Sequence, residues 1–320
     1  RAAPTTGPHN RKHQVPTPPA DSRNMHATHH HEPGASAAPE HSAESLAFLN
    51  RIAAELNNGP LNLPCFPDIV PRVRQTLCDP NSSFKDLVKI TSTEPRLTAR
   101  LLQTANSAVF NPSNKQVFDI RNAIARLGQQ AVQSITTVFA IQQMQAAPTL
   151  QPVVKELSAV WERSIAVAAM CQTLAKQLKV PTDKVFLTGL LHGIGHFYLL
   201  VRSVEANCEI AYAKLSPDLI AEWHPQLGHA VLTKWGMEAI VCDAVGSQHN
   251  YARHVAHSFD MTDVVIAGVA LTESLLDFNG ELVLCGGISA FERIDLDEDQ
   301  LRSIIKHTEH SLEALRAELM

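Results

Sequence analysis

Between Leu187 and Leu200 the chain reads LTGLLHGIGHFYLL. The run is apolar enough to be buried, yet it carries His192 and His196 four residues apart, which a helix stacks on one face. A buried imidazole costs free energy unless a polar neighbour, a ligand or a metal meets it. The rest of the chain must therefore build a core that also supplies partners for these rings. Its apolar residues suit such a core, since 45% of positions are hydrophobic but only 5% are aromatic. Ala, Leu, Val and Ile dominate, which favours helices packed closely through small side chains.

Taken in order, residues 1–41 hold seven histidines and seven prolines, with too little apolar surface to offset the entropy of ordering. They are expected to form a disordered tail, in which His29, His30 and His31 could bind a transition metal weakly. Order begins near Ser42, a cap with Glu44 in the first turn, and Gly59-Pro60 stops the first helix. Val70, Val73 and Leu77 give a second helix its core face, starting near Asp68. Ser83 to Asp86 approximates a capping box. Pro95 opens a helix with the stripe Leu97, Leu101, Ala105 and Ala108. Asp119 caps the next, which Gly128 closes in a left-handed turn before a further helix runs to Met144.

A link at 146–152 divides this half, residues 42–147, from a second helical half over 153–280. There the pattern predicts helices over Trp161 to Leu178, Thr182 to about Leu200, Pro225 to Trp235, Met237 to His249 and Thr262 to Phe278. Gly193 and Gly195 fall inside the second of these, where close approach of a neighbouring helix would explain them. Residues 281–320 supply a turn and a last amphipathic helix from about Asp297. That helix is expected to pack in cis, with pairing to a second copy as the alternative. The fold class is all-α.

Net charge is −5, unevenly spread: residues 61–145 hold nine basic and five acidic groups, and 146–320 hold thirteen and twenty-two. Without a Lys/Arg cluster, nucleic acid is not an expected partner. The two short helices before Ala108 resemble a helix-turn-helix in outline, but Arg96, Arg100 and Gln103 offer few base-reading groups. They read better as a protein-binding or structural face. The six cysteines show no C-x-x-C pairing, which fits reduced, packing residues. No long uncharged apolar run or signal-peptide core is evident, so no membrane span is expected. A chain that begins at Arg1 reads as a processed or shortened product.

LLHGIGH resembles the metal-binding motif LLHDIGK of the HD phosphohydrolase superfamily, with Gly193 in place of the aspartate. The superfamily's upstream histidine lies in a context like W-x-H-S, and here Trp161-Glu162-Arg163-Ser164 puts Arg163 in its place. His224 in EWHPQLGH and His249 in VGSQHN fall in similar contexts to its later histidines. The late aspartate has no counterpart within VVIAGVALTESLL, since Asp263 precedes that run. Eroded motifs of this kind resemble the HDOD branch, an HD-related output domain. The first half agrees: its LPCFP start, DP turn, EPRLTARLL helix, NSA corner and IRNAIARLG segment are similar to that family's in order, over about Leu56 to Leu276.

The resemblance implies signal transduction in the bacterial cytoplasm by a non-catalytic scaffold that contacts a regulatory protein partner. No cofactor is expected. A cation at Arg163 would repel a metal, since two unit charges about 4 Å apart cost about 4 kcal/mol at an effective dielectric of about 20. With His192 and His196, Arg163 reads instead as a ligand for a small anion; Arg96 and Arg100 read as a partner surface. The rival reading is a metal-dependent phosphohydrolase of nucleotides or cyclic dinucleotides, with a divalent ion on His192, His224 and His249.

Overall fold

The computed structural model describes residues 43–59, 67, 69–107, 109–111, 113–204, 212–255, 258–277 and 287–319, and among these there is no strand. The tail expected over 1–41 and the cap at Ser42 lie outside the described residues. The first half comprises α1 (Ala43–Asn58), α2 (Ile69–Cys78), α3 (Phe84–Thr91), α4 (Pro95–Asn106) and α5 (Ile120–Gln145). The second comprises α6 (Val154–Gln177), α7 (Thr182–Leu191), α8 (Ile194–Ser203), α9 (Pro217–Lys234), α10 (Ala239–Gly246), α11 (Met261–Asp277), α12 (Ser289–Ile294) and α13 (Glu298–Leu319).

Local chemistry sets the boundaries. Ser83 and Asp86 form a reciprocal capping box at the start of α3. Asp119 accepts the backbone N–H of Asn122 at 2.9 Å and so caps α5. Within α5, Gly128 sits at φ 77°, ψ 165°, a region open almost only to glycine, and the chain turns there before the helix resumes. The expected interruption is thus present, in an extended rather than a left-handed helical conformation.

One apolar core runs through both halves. Its centre is α6, where the run Ile165 to Cys171 is buried without exception. Small residues let neighbours approach it: a Cβ on Gly189 of α7 would stand 2.9 Å from Ala168 Cα, and one on Gly268 of α11 would stand 2.5 Å from Cys171 Sγ. α7, α11 and α13 pack on α6, so the last helix closes the core in cis. α1 packs on α9, and Lys234 Nζ donates to Gly59 O at 2.5 Å across that contact.

Several expected boundaries move. The single helix expected from Thr182 to Leu200 is two, broken at His192 and Gly193, so the two histidines do not share one helical face. Gly193 occupies the start of α8, where glycine costs only a few tenths of a kcal/mol against the usual caps, rather than a helix interior. Pro225 does not open a helix but lies inside α9, and α6 begins at Val154 instead of Trp161. Within Thr182–Ser203 one 18-residue window reaches a mean hydropathy of 1.3, which by length and composition alone would pass for a membrane span. That stretch is broken in the middle and 89% of its most apolar window is buried in the core.

Candidate functional site

The break between α7 and α8 opens onto a groove of about 670 Å³ between α6, α8, α9 and α11. Its polar lining includes Arg163, His192, His196, His224, His249 and Glu273. Gly193 faces α6: a Cβ there would lie 2.9 Å from Ser164 Oγ and 3.1 Å from Val160 Cγ1. A carboxylate at this position would need both to move. Gly195 is tighter still, because a Cβ would fall within bonding range of His224 O and 2.5 Å from Gly228 N. Backbone contact between α8 and α9 is what brings His196 and His224 together, their ring centroids 5.8 Å apart.

Each imidazole has a traceable setting. His192 Nδ1 donates to Gly189 O at 2.8 Å, a carbonyl in the last turn of α7 that also accepts the His192 backbone N–H at 3.3 Å. His249 Nδ1 donates to Ala221 O at 3.0 Å. Pro225 creates that acceptor, for it lacks the N–H that would bond the carbonyl four residues earlier. His196 Nε2 meets the hydroxyl of Tyr212. His224 Nδ1 is buried and has no hydrogen-bond partner.

None of the four favours a proton. Burial, and then the Arg163 guanidinium, push His196 down to about 4, and burial opposed by the Gly189 bond leaves His192 at about 3. Burial and the neighbouring imidazoles hold His224 well below its ordinary range, and burial lowers His249 despite its bond to Ala221. The unfolded chain takes up these protons near pH 6.5, whereas the fold refuses them until about pH 4 at His196 and about pH 3 at His192. Stability is therefore full above pH 6.5 and falls on acidification through that window, by up to about 1.4 kcal/mol per pH unit for each histidine. Urea titrations at pH 7 and pH 5 should show this loss, and His192→Gln should make it smaller by one histidine's share. An unchanged slope in that variant would contradict the assignment.

A divalent ion of the HD type does not fit these residues. Among the described residues, no three His, Cys, Asp or Glu side chains come together in an arrangement that could hold a metal. Gly193 supplies no ligand, and Arg163 occupies the upstream position. Arg163 Nη2 pairs with Glu273 Oε1 of α11 at 3.2 Å, so the cation assigned to an anion already faces a carboxylate in the fold. Of the residues assigned to a partner surface, Arg96 is exposed. Arg100 is half-buried and donates to Gln142 Oε1 of α5 at 3.0 Å, a contact that also joins two helices.

Glu273, Tyr212 and Gln248 belong to the site without having been singled out in the sequence. For Glu273 a signal existed: it is the lone carboxylate in the apolar VVIAGVALTESLL run where an aspartate was sought. Asp263, just before that run, does not line the groove. Its side chain is fully buried between Arg253, at 2.9 Å, and Arg293, at 2.5 Å.

The HDOD domain family model matches residues 63–251. An uncharacterized protein of Treponema pallidum (strain Nichols) is 23% identical over 279 residues, or 82% of this chain, and the chain spans about half of that relative, 52%. Among solved structures, a provisionally named metal-dependent phosphohydrolase from Shewanella amazonensis SB2B has a TM-score of 0.62 at 23% identity, covering 85% of this chain and 99% of its own. An HDOD domain protein with unknown function from Geobacter sulfurreducens has a TM-score of 0.53 at 20% identity, over 86% and 97% of the two chains. A provisionally named signal transduction protein from Marinobacter aquaeolei VT8 also has 0.53, at 21% identity over 87% and 65%. These likenesses establish a shared helical fold.

Proposed function

Because the chain belongs to the HDOD domain family, we propose that it is a non-catalytic regulatory protein of bacterial signal transduction, acting in the cytoplasm through a protein partner. The groove is its input site and the outer helical faces are its output. The observation that carries this reading is the turn at His192 and Gly193. Where hydrolysis would need a carboxylate beside an imidazole, the chain has a glycine closed off by Ser164 and Val160 and a guanidinium already paired with Glu273. The carboxylate that would hold a divalent ion beside His192 is missing from that turn, so an HD-type metal-activated water would lack one of its protein ligands there.

Phosphoester turnover tests the reading. With Mn²⁺, Zn²⁺ or Mg²⁺ added, release of phosphate from nucleotides and cyclic dinucleotides should not exceed that of His192→Ala. Turnover that this variant abolishes would establish the rival hydrolase, which draws support from the open Nε2 atoms of His192 and His249. An anionic ligand would have to draw Arg163 away from Glu273. If it does, Arg163→Ala removes any thermal stabilisation by that anion. On the output side, Arg96→Glu is the cleaner probe of partner capture, since Arg100 also holds α4 to α5.

A further inference from the structure

Resting on the reading of the groove as an input site, its hydrogen-bonding atoms narrow what can enter. A neutral imidazole carries one N–H. His192 commits it to Gly189 O at 2.8 Å and His249 commits it to Ala221 O at 3.0 Å, so both rings keep a bare Nε2. Gln248 lines the same groove and is wholly buried. Its amide donates to His192 O at 3.0 Å and Val245 O at 2.8 Å, which leaves Oε1 buried without a partner. His224, 8% exposed, holds Nδ1 in the same unpartnered state. Buried polar atoms are normally satisfied, so these two point to a missing occupant.

We propose that the groove binds an uncharged, planar lactam heterocycle, which offers N–H donors to Gln248 Oε1 and the bare imidazole nitrogens. Rings are available to pack against its faces: His196 lies 5.7 Å from Tyr212 and His224 lies 5.1 Å from His249, centroid to centroid. A lactam also carries a carbonyl, and Arg316 lines the groove with its Nε buried and unpartnered. The volume of about 670 Å³ is in the range of small-molecule sites. Charged alternatives fare worse. A cation would meet Arg163 and the burial that keeps four histidines neutral, and an anion would meet bare acceptors below and Glu156, Glu162 and Glu273 among the walls.

Thermal denaturation of the full chain tests this with millimolar hypoxanthine, uracil, thymine and pterin, beside IMP and UMP as anions and agmatine as a cation. At least one neutral compound should raise Tm by about 3 °C, and by more than the charged probes do. His224→Phe keeps a ring and removes the unpartnered nitrogen, so it should fold while losing that shift. Should it not fold, ¹⁵N-histidine spectra of the unaltered protein serve instead: the His224 Nδ1 resonance must move with the stabilising compound. No shift with any neutral compound would overturn the proposal, leaving water on those atoms, and so would a larger shift with a monophosphate or agmatine. Phosphate released from IMP or UMP in the same tubes would overturn the non-catalytic reading instead, and is scored separately from binding.

Discussion

Gly195→Ala is expected to destabilise the protein by about 3 kcal/mol or more, at the upper end of what overpacking costs. The added methyl would collide with His224 O and stand 2.5 Å from Gly228 N. Both are backbone atoms of α9, so no side chain can swing aside; the two helices must separate. Because α8 and α9 carry His196 and His224, the groove should widen as stability falls. Urea unfolding measures the first effect and the His196 and His224 ring resonances report the second. A melting temperature within about 2 °C of the unaltered protein would show that α8 and α9 are not in backbone contact.

Asp263→Ala should cost about 3–5 kcal/mol, the range for breaking a buried ion pair from one side. Burial alone would raise the Asp263 pKa, but hydrogen bonds from Arg293, the Asp260 backbone and Arg253 together lower it. Removing the carboxylate leaves two guanidinium groups, 17% and 15% exposed, facing a shared vacancy. Asp260 makes the contrast. It also pairs with Arg253, at 2.6 Å, and accepts the Asp263 backbone N–H at 3.2 Å, but is 45% exposed, so Asp260→Ala should cost about 1–2 kcal/mol, less than Asp263→Ala. Equal losses in the two variants would contradict the clamp. Arg293 belongs to α12, so the first variant should also loosen that helix from the start of α11.

Much of this was legible in the sequence because short-range chemistry fixes it. The Ser83 box, the Asp119 cap and the Gly128 interruption each depend on residues within a few positions of one another. The importance of Gly193 and Gly195 was legible too, as glycines in an apolar run beside histidines. Which neighbour each one admits was not, since Ser164 and Gly228 reach them only through tertiary packing. The same holds for Pro225. Its spacing suggested a helix start, whereas α9 accepts it in mid-course because His249 takes up the carbonyl it leaves open. Glu273 was hidden for a related reason. A carboxylate in an apolar stretch signals a polar partner, but that the partner is Arg163, 110 positions earlier, follows only from α6 lying against α11.

The central claim is that the imidazoles around Gly193 serve recognition rather than metal-assisted hydrolysis. Elemental analysis tests it most directly, on the full chain and on His192→Ala, both purified without nickel resin and dialysed against a weak chelator. The account predicts substoichiometric Zn, Fe and Mn, at the same level in both proteins, so that any metal on His29, His30 and His31 cancels in the comparison. Near-stoichiometric metal that disappears in His192→Ala, with the fold intact, would contradict it.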